Sequence, residues 1–203
     1  NERQTRKEVI LTTFAVFTGS VIYLTAQFVA PGFRKICLPF LPATDTQLHN
    51  LTSMLRRVKK ASNSELGPVI DLGSGDGRVL FHLASDTTLH VKQLTGIELN
   101  RPLVMWSKYR SWRFFSPHKP VFTFKTADLW KYNLSPYKTV IIFGAEGLME
   151  KLQCKFESEL RKEAFVISCR FPLPDIEPID VIEDEFDSVF LYKYPLRCNN
   201  RKL

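Results

Sequence analysis

The chain is 203 residues long, 44% hydrophobic and 24% charged, with a formal net charge of +7. That size and apolar content suit one α/β domain with a full core and a small appendage. The basic excess fits nucleic acid or an anionic membrane, but it is scattered along the chain without zinc spacing, recognition helix or RNA-binding signature, so nucleic acid is set aside.

Residues 1–8 form a basic flank with Arg3, Arg6 and Lys7. Residues 9–30 carry no charge, about 22 positions, which is enough helix to cross a bilayer core. Arg34 and Lys35 follow, and Pro31-Gly32 would end the helix. Thr12, Thr13, Thr18, Ser20, Thr25 and Gln27 dilute the apolar character. We read 9–30 as a transmembrane anchor, with a helix packed on the remaining chain as the alternative. A cleaved signal fits less well, because the run is too long for an h-region and lacks a small-x-small exit. Basic residues on both sides leave the orientation open. The chain opens on Asn1 rather than methionine, which leaves room for a leader ahead of it.

Residues 31–66 read as a proline-punctuated linker and a helix. Asp45 or Thr46 is the expected cap, and Leu48, Leu51, Met54, Leu55 and Val58 form an apolar stripe at helical spacing. Strands then alternate with helices across 67–196. The expected strands are 69–72, 94–98, 121–125, 139–143 and 165–169, and the expected helices are 78–84, 102–115 and 148–160. Such alternation predicts a mostly parallel sheet covered on both faces. Residues 179–183 and 188–192 flank a short turn and predict a closing antiparallel hairpin. Residues 197–203 form a basic tail.

Trp106, Tyr109, Arg110, Trp112, Arg113, Phe114 and Phe115 crowd one helix, and helical spacing predicts that the aromatics form a core face with arginines reaching outward. Cys37, Cys154, Cys169 and Cys198 form no C-x-x-C pair, so unpaired thiols and a reducing compartment are expected. His49, His82, His90 and His118 are isolated, and no metal site is expected.

The chemistry concentrates in Val69-Ile70-Asp71-Leu72-Gly73-Ser74-Gly75-Asp76-Gly77-Arg78. A buried strand ends in an acid, turns through alternate glycines and enters a helix. Glycine permits the tight turn and the close approach of backbone to a ligand. The glycine spacing differs from the dinucleotide fingerprint, and no Gly-Lys-Ser/Thr follows as in a phosphate loop. The second strand ends at Glu98, whose carboxylate is placed to accept from both ribose hydroxyls of a nucleoside. Ala127-Asp128-Leu129-Trp130 follows the third strand, so Asp128 either accepts from an adenine amino group or only caps a turn. Three acids at adjacent strand ends place one ligand at the sheet's switch point.

The strand-Asp-x-Gly-x-Gly-x-Gly pattern resembles the first motif of S-adenosylmethionine-dependent methyltransferases of the Rossmann-like, seven-stranded class. Further stretches make the resemblance narrower: Cys37-Leu38-Pro39-Phe40-Leu41-Pro42-Ala43-Thr44, Glu98-Leu99-Asn100, Tyr109-Arg110-Ser111-Trp112-Arg113, Asp128-Leu129-Trp130-Lys131 and Cys169-Arg170-Phe171-Pro172. With these, nearly the whole chain is similar to mitochondrial membrane-anchored protein-lysine methyltransferases. One branch of that family modifies the c subunit of ATP synthase and another the adenine nucleotide translocase. Ile142-Phe143-Gly144 and Ser168-Cys169-Arg170 look closer to the first branch.

The resemblance implies five parallel strands plus a C-terminal antiparallel hairpin, with the methyltransferase domain over 67–196. It implies S-adenosylmethionine held by Asp71, Gly73, Ser74, Gly75, Glu98 and Asp128, with Thr44 helping to cover it. It also implies a lysine of the ATP synthase c subunit as acceptor and an inner-membrane location, the catalytic domain facing the matrix. The tip of the fourth strand, Gly144-Ala145-Glu146-Gly147, departs from the family's usual composition. Glu146 is the one candidate proton acceptor, by its expected position. An enzyme acting on the adenine amino group of a nucleic acid would show Asn/Asp-Pro-Pro-Tyr/Trp there.

Overall fold

The computed structural model describes residues 2–29, 42–62, 65–185 and 187–194, and the chain divides into two compact units, Asn1–Cys37 and Leu38–Leu203. Pro31-Gly32, Cys37, most of the proline-punctuated linker, Cys198 and the basic tail lie outside the described residues.

The first unit is the helix α1, Glu2–Val29, which runs unbroken through the basic flank and the uncharged segment. Its large apolar side chains, among them Ile10, Phe14, Phe17 and Ile22, are exposed. Its hydroxyls turn back on the helix: Thr12 donates to the Glu8 carbonyl at 2.7 Å, and Thr13, Ser20 and Thr25 donate to Val9, Val16 and Val21 at 2.8 Å each. Among the described residues no helix is long and apolar enough to cross a membrane. Of the expected span over 9–30, residues 9–29 are helical as read.

The second unit is a seven-stranded sheet in the order β3-β2-β1-β4-β5-β7-β6. Its strands are β1 Val69–Leu72, β2 Gln93–Glu98, β3 Val121–Thr126, β4 Thr139–Phe143, β5 Phe165–Cys169, β6 Asp180–Ile182 and β7 Val189–Lys193. The first five pair in parallel, and β7 pairs antiparallel with both β5 and β6. Strand ends differ from the expectation by a residue or so, and the edge strand β6 is shorter. β1 and β5 are buried along their whole length because helices cover both faces.

On one face α2 (Asp45–Ser62) and α3 (Arg78–Ser85) contribute Leu51, Met54, Leu55, Leu80 and Leu83 to one core. On the other, α5 (Met149–Glu159) brings Leu152 and Phe156 against Leu134, Val140 and Tyr192. Burial pushes the Tyr192 phenol up to about 12, and its oxygen accepts from the Leu173 N–H at 2.9 Å. Cys154 is exposed and Cys169 buried, both free thiols as expected. Burial, then the nearby Asp71, raises the Cys169 thiol well above its ordinary value.

Two readings are corrected. Neither Asp45 nor Thr46 caps α2. Thr44 does, its hydroxyl accepting from Gln47 N–H and Gln47 Oε1 from Thr44 N–H, both at 3.0 Å. This reciprocal pair satisfies two donors at once, because the side chain three residues on reaches back to the cap.

Of the aromatics expected to form a core face, only Phe114, at the C-terminal cap of α4 (Arg101–Arg113), packs against the core. The helix itself buries Leu103, Val104 and Ser107, whereas Met105, Trp106, Tyr109 and Trp112 are exposed, Trp112 at 77%, and Phe115 just beyond reaches 93%. The helix lies over β2 and β3, and β3 is the sheet edge, so it has something to pack against on one narrow stripe only.

Candidate active site

The glycine turn is set by its backbone. Gly73, Gly75 and Gly77 have φ of 77°, 52° and 78°, a region that costs side-chain-bearing residues energy. A Cβ at Gly77 would also lie 2.9 Å from both the Phe81 and Phe124 rings. The turn hangs on β2: Gly73 N–H and Ser74 N–H both donate to the Ile97 carbonyl, at 2.9 and 3.0 Å. Gly96 lies across from Asp71 in the sheet, and a Cβ there would come within 2.6 Å of Ser74 Oγ. Glycine at 96 thus lets the turn lie against β2.

Asp71 ends up 1% exposed between β2 and β4. Burial, then the charges of Glu98 and Asp76, raise its pKa from 3.8 to about 8. Glu98 closes the other side. Its Oε2 accepts from Gly75 N–H at 3.1 Å, and Oε1 accepts from Leu99 and Asn100 N–H at 2.7 and 2.9 Å. A carboxylate offers about four acceptor positions, so three are already engaged. The expectation that Glu98 receives both ribose hydroxyls narrows accordingly: one hydroxyl fits the remaining position, and a second has to share with a backbone donor.

Asp128 follows β3 beside Glu98, since Ala127 N–H donates to the Glu98 carbonyl at 3.0 Å. Asp128 Oδ1 accepts from Trp130 N–H at 3.0 Å, so it does cap the turn. Acids from β1, β2 and β3 therefore meet at one end of the sheet, as the spacing predicted. Glu146 opens a 3₁₀ turn (Glu146–Leu148) just past β4 and is exposed. Thr44 sits apart from this cluster of hydrogen bonds, its hydroxyl donating to Asp187 at 2.9 Å in the β6–β7 connection. Its neighbour Asp45 pairs with Arg78, directly after the glycine turn, at 2.5 Å.

Several supporting residues escaped the sequence reading. Arg110 donates to the Asp76 carbonyl at 3.0 Å and carboxylate at 2.9 Å, and its guanidinium covers the Phe81 ring at 4.5 Å. Ser107 donates to the Gly75 carbonyl at 3.2 Å, and Asn100 caps α4 by accepting from Leu103 N–H. Only Asn100 carried a local signal, an Asn followed two residues later by Pro.

Asp71 Oδ2 and Ser74 Oγ are buried without a hydrogen-bond partner. A buried polar group left unpaired is costly, so both atoms fit a ligand that brings donors to the turn, as an amino acid's ammonium group does. Among the described residues no group of three or more His, Cys, Asp or Glu could hold a metal ion.

Residues 71–180 match the family described as the ANTKMT methyltransferase domain. The chain belongs to that methyltransferase family. It is 39% identical over 193 residues to the ATP synthase C-subunit lysine N-methyltransferase of Xenopus laevis, covering 94% of this chain and 80% of that one. The Homo sapiens protein of the same name is 40% identical, over 90% of this chain and 73% of its own. The adenine nucleotide translocase lysine N-methyltransferase of Mus musculus is 33% identical, over 88% of this chain and 75% of its own. Among solved structures, an RNA methyltransferase from Salinibacter ruber in complex with S-adenosyl-L-homocysteine superposes with TM-score 0.60 at 21% identity, over 75% of this chain and 93% of that one. That likeness is one of fold. The methyltransferase domain uses S-adenosylmethionine.

Proposed function

We propose that this enzyme methylates a lysine of the ATP synthase c subunit at a mitochondrial membrane, using the site built at the ends of β1, β2 and β3. The observation that carries the reading is the graded similarity: relatives named for the c subunit stand at 39% and 40% identity, the translocase enzyme at 33%.

S-adenosylmethionine, when bound, would supply an electrophilic sulfonium methyl group: the neutral lysine amine would form its N–C bond as the S–CH3 bond breaks, with S-adenosylhomocysteine as the leaving group. The chain's own residues do the rest. The glycine turn brings backbone close to the cofactor, Ser74 and Asp71 offer their unpaired oxygens to its methionine portion, and Glu98 and Asp128 serve the ribose and adenine. A free lysine has a pKa near 10.4, so the acceptor must shed a proton, and an apolar surround lowers that pKa by desolvation. Positioning contributes roughly 7–11 kcal/mol in well-aligned reactions, and no acid–base dyad is required. Glu146, exposed at the tip of β4, is the candidate to take up the proton. The same tip reads Phe143-Gly144-Ala145-Glu146, without the Asn/Asp-Pro-Pro pattern of an adenine-modifying enzyme.

The membrane part of the reading rests on α1. Its uncharged stretch exposes Val9, Ile10, Leu11, Phe14, Phe17 and Ile22, and four of its hydroxyls are satisfied by its own backbone. Such bonding lowers the cost of placing Thr and Ser in lipid. Confinement to the inner membrane, with the catalytic unit on the matrix side, raises the effective concentration of a small hydrophobic substrate without new contacts.

Intact-mass measurement of the ATP synthase c subunit decides between the substrates. Cells lacking the protein should carry an unmodified c-subunit lysine, the full-length chain should restore the mark, and Asp71→Ala should not. A fully methylated c subunit in those cells overturns the reading, and a missing mark on the translocase would then favour that protein as substrate.

A further inference from the structure

Helix α4 turns its aromatic side to solvent, the reverse of the usual arrangement for a helix packed on a sheet. Met105, Trp106, Tyr109, Trp112 and Phe115 are 71%, 52%, 45%, 77% and 93% exposed. Trp106, Tyr109 and Trp112 recur every three residues along one side of the helix, with ring centroids 5.6 Å apart for Trp106–Tyr109 and 6.3 Å for Tyr109–Trp112, and Phe115 follows two residues past the helix end. Arg113 lies over the Tyr109 ring at 5.9 Å. Between α3 and α4 runs an open groove of about 600 Å³, lined among others by Asp45, Arg78, His82, Trp106, Arg110 and Arg113. A contiguous apolar patch of this kind marks an interaction surface.

The charge on the α4 stretch has one sign. No Asp or Glu occurs between Glu98 and Asp128, while Arg101, Lys108, Arg110, Arg113, Lys119 and Lys125 do. Arg110 is engaged with Asp76, but Arg101, Lys108 and Arg113 are exposed. A symmetric pairing of two copies through this face would set like charges against each other, since the same patch meets itself.

We propose that the outer face of α4 docks on an anionic lipid bilayer, with Trp106, Tyr109, Trp112 and Phe115 at headgroup level and Lys108 and Arg113 on lipid phosphates. Tryptophan and tyrosine favour that depth because one end of the ring system is apolar and the other forms hydrogen bonds. Basic side chains beside them are attracted to an anionic leaflet. The inner side of the same helix holds the cofactor turn, through Ser107 on Gly75 and Arg110 on Asp76. Docking thus sets the cofactor site one helix away from the lipid surface. The inference does not depend on α1 being an anchor.

The tryptophans make it testable in the full chain. The protein has three, Trp106, Trp112 and Trp130, and none lies in α1. The full-length protein is mixed with vesicles of phosphatidylcholine and phosphatidylglycerol bearing brominated acyl chains, and tryptophan emission and vesicle flotation are recorded together. Strong quenching by bromines near the headgroups is expected, lost in Trp106→Phe/Trp112→Phe, which leaves Trp130 alone. Lys108→Gln and Arg113→Gln should each shift the docked-to-undocked ratio roughly fivefold toward undocked. Cofactor affinity reports that these variants are folded, and the quenching of the unaltered chain needs no variant. Flotation without quenching overturns the docking face and leaves the α1 reading standing. Absence of both overturns the two together. Equal quenching in uncharged vesicles overturns the assignment to anionic lipid.

Discussion

Asp71 is the residue whose chemistry depends most on its surroundings. A carboxylic acid buried beside two other acids holds its proton to about pH 8, whereas the cationic ammonium and sulfonium groups of the cofactor favour the ionised form. Cofactor binding should therefore release a proton from Asp71. Affinity should rise with pH by up to about tenfold per unit below pH 8 and stop rising near pH 8, where Asp71 is ionised and the cofactor's α-amino group, with an ordinary pKa of about 7.7–8.0, begins to lose its charge. Calorimetry in buffers of different ionisation enthalpy would detect the released proton, and Asp71→Asn should abolish the slope. Stability without cofactor moves the other way. The folded pKa exceeds the unfolded one, so the folded form binds the extra proton between 3.8 and about 8, and Asp71's contribution to stability is lost as pH rises through that window. A melting temperature of Asp71→Asn that tracks the parent at every pH would refute this account.

Glu98 ties Gly75, Leu99 and Asn100 together, so Glu98→Ala should weaken cofactor binding by about 1.5–3 kcal/mol. Unchanged affinity in a folded variant removes Glu98 from the site. Gly96→Ala drives a methyl group into Ser74 Oγ and the Phe124 ring, at 2.6 and 2.8 Å, and should cost roughly 1–3 kcal/mol in chemical denaturation.

At the scale of elements, the start of α2 links two parts of the fold. Thr44 caps the helix and reaches Asp187, Asn50 donates to the Asp187 carbonyl at 3.1 Å, and Asp45 pairs with Arg78. Thr44→Ala removes the cap and the link to the β6–β7 connection, and should lower stability by about 1 kcal/mol. Thr44→Ser keeps the hydroxyl and should recover most of it. If Thr44 served only to cover the cofactor, its loss would change affinity and leave the melting temperature alone. The strands were legible because their runs of β-branched and apolar residues are bounded by glycine, proline and polar turns, and those signals are local. The orientation of α4 was not. A stripe of aromatics at helical spacing looks the same whether it meets a sheet or solvent, and only the position of α4 over the edge strand β3 decided which.

For the whole molecule, the division into Asn1–Cys37 and Leu38–Leu203 separates an apolar helix from a complete sheet domain. Removing residues 1–37 should leave cofactor affinity unchanged, because every residue placed in the site belongs to the second unit. It should also shift the protein from the pellet to the supernatant after carbonate extraction of mitochondrial membranes. Release of the full-length chain by carbonate would show that α1 does not span.

The sequence by itself determined the strand–helix alternation, the glycine turn and the three acids at successive strand ends. Each of these is encoded within a few residues, by side-chain period, by backbone freedom at glycine or by the residue that closes a strand. Tertiary structure decided the rest. It brought Gly96 under Ser74, reached Arg110 across to Asp76, raised the Asp71 pKa by burying it beside Glu98, and left the aromatic side of α4 uncovered. Those outcomes depend on groups far apart in the chain, whose distances no local pattern contains.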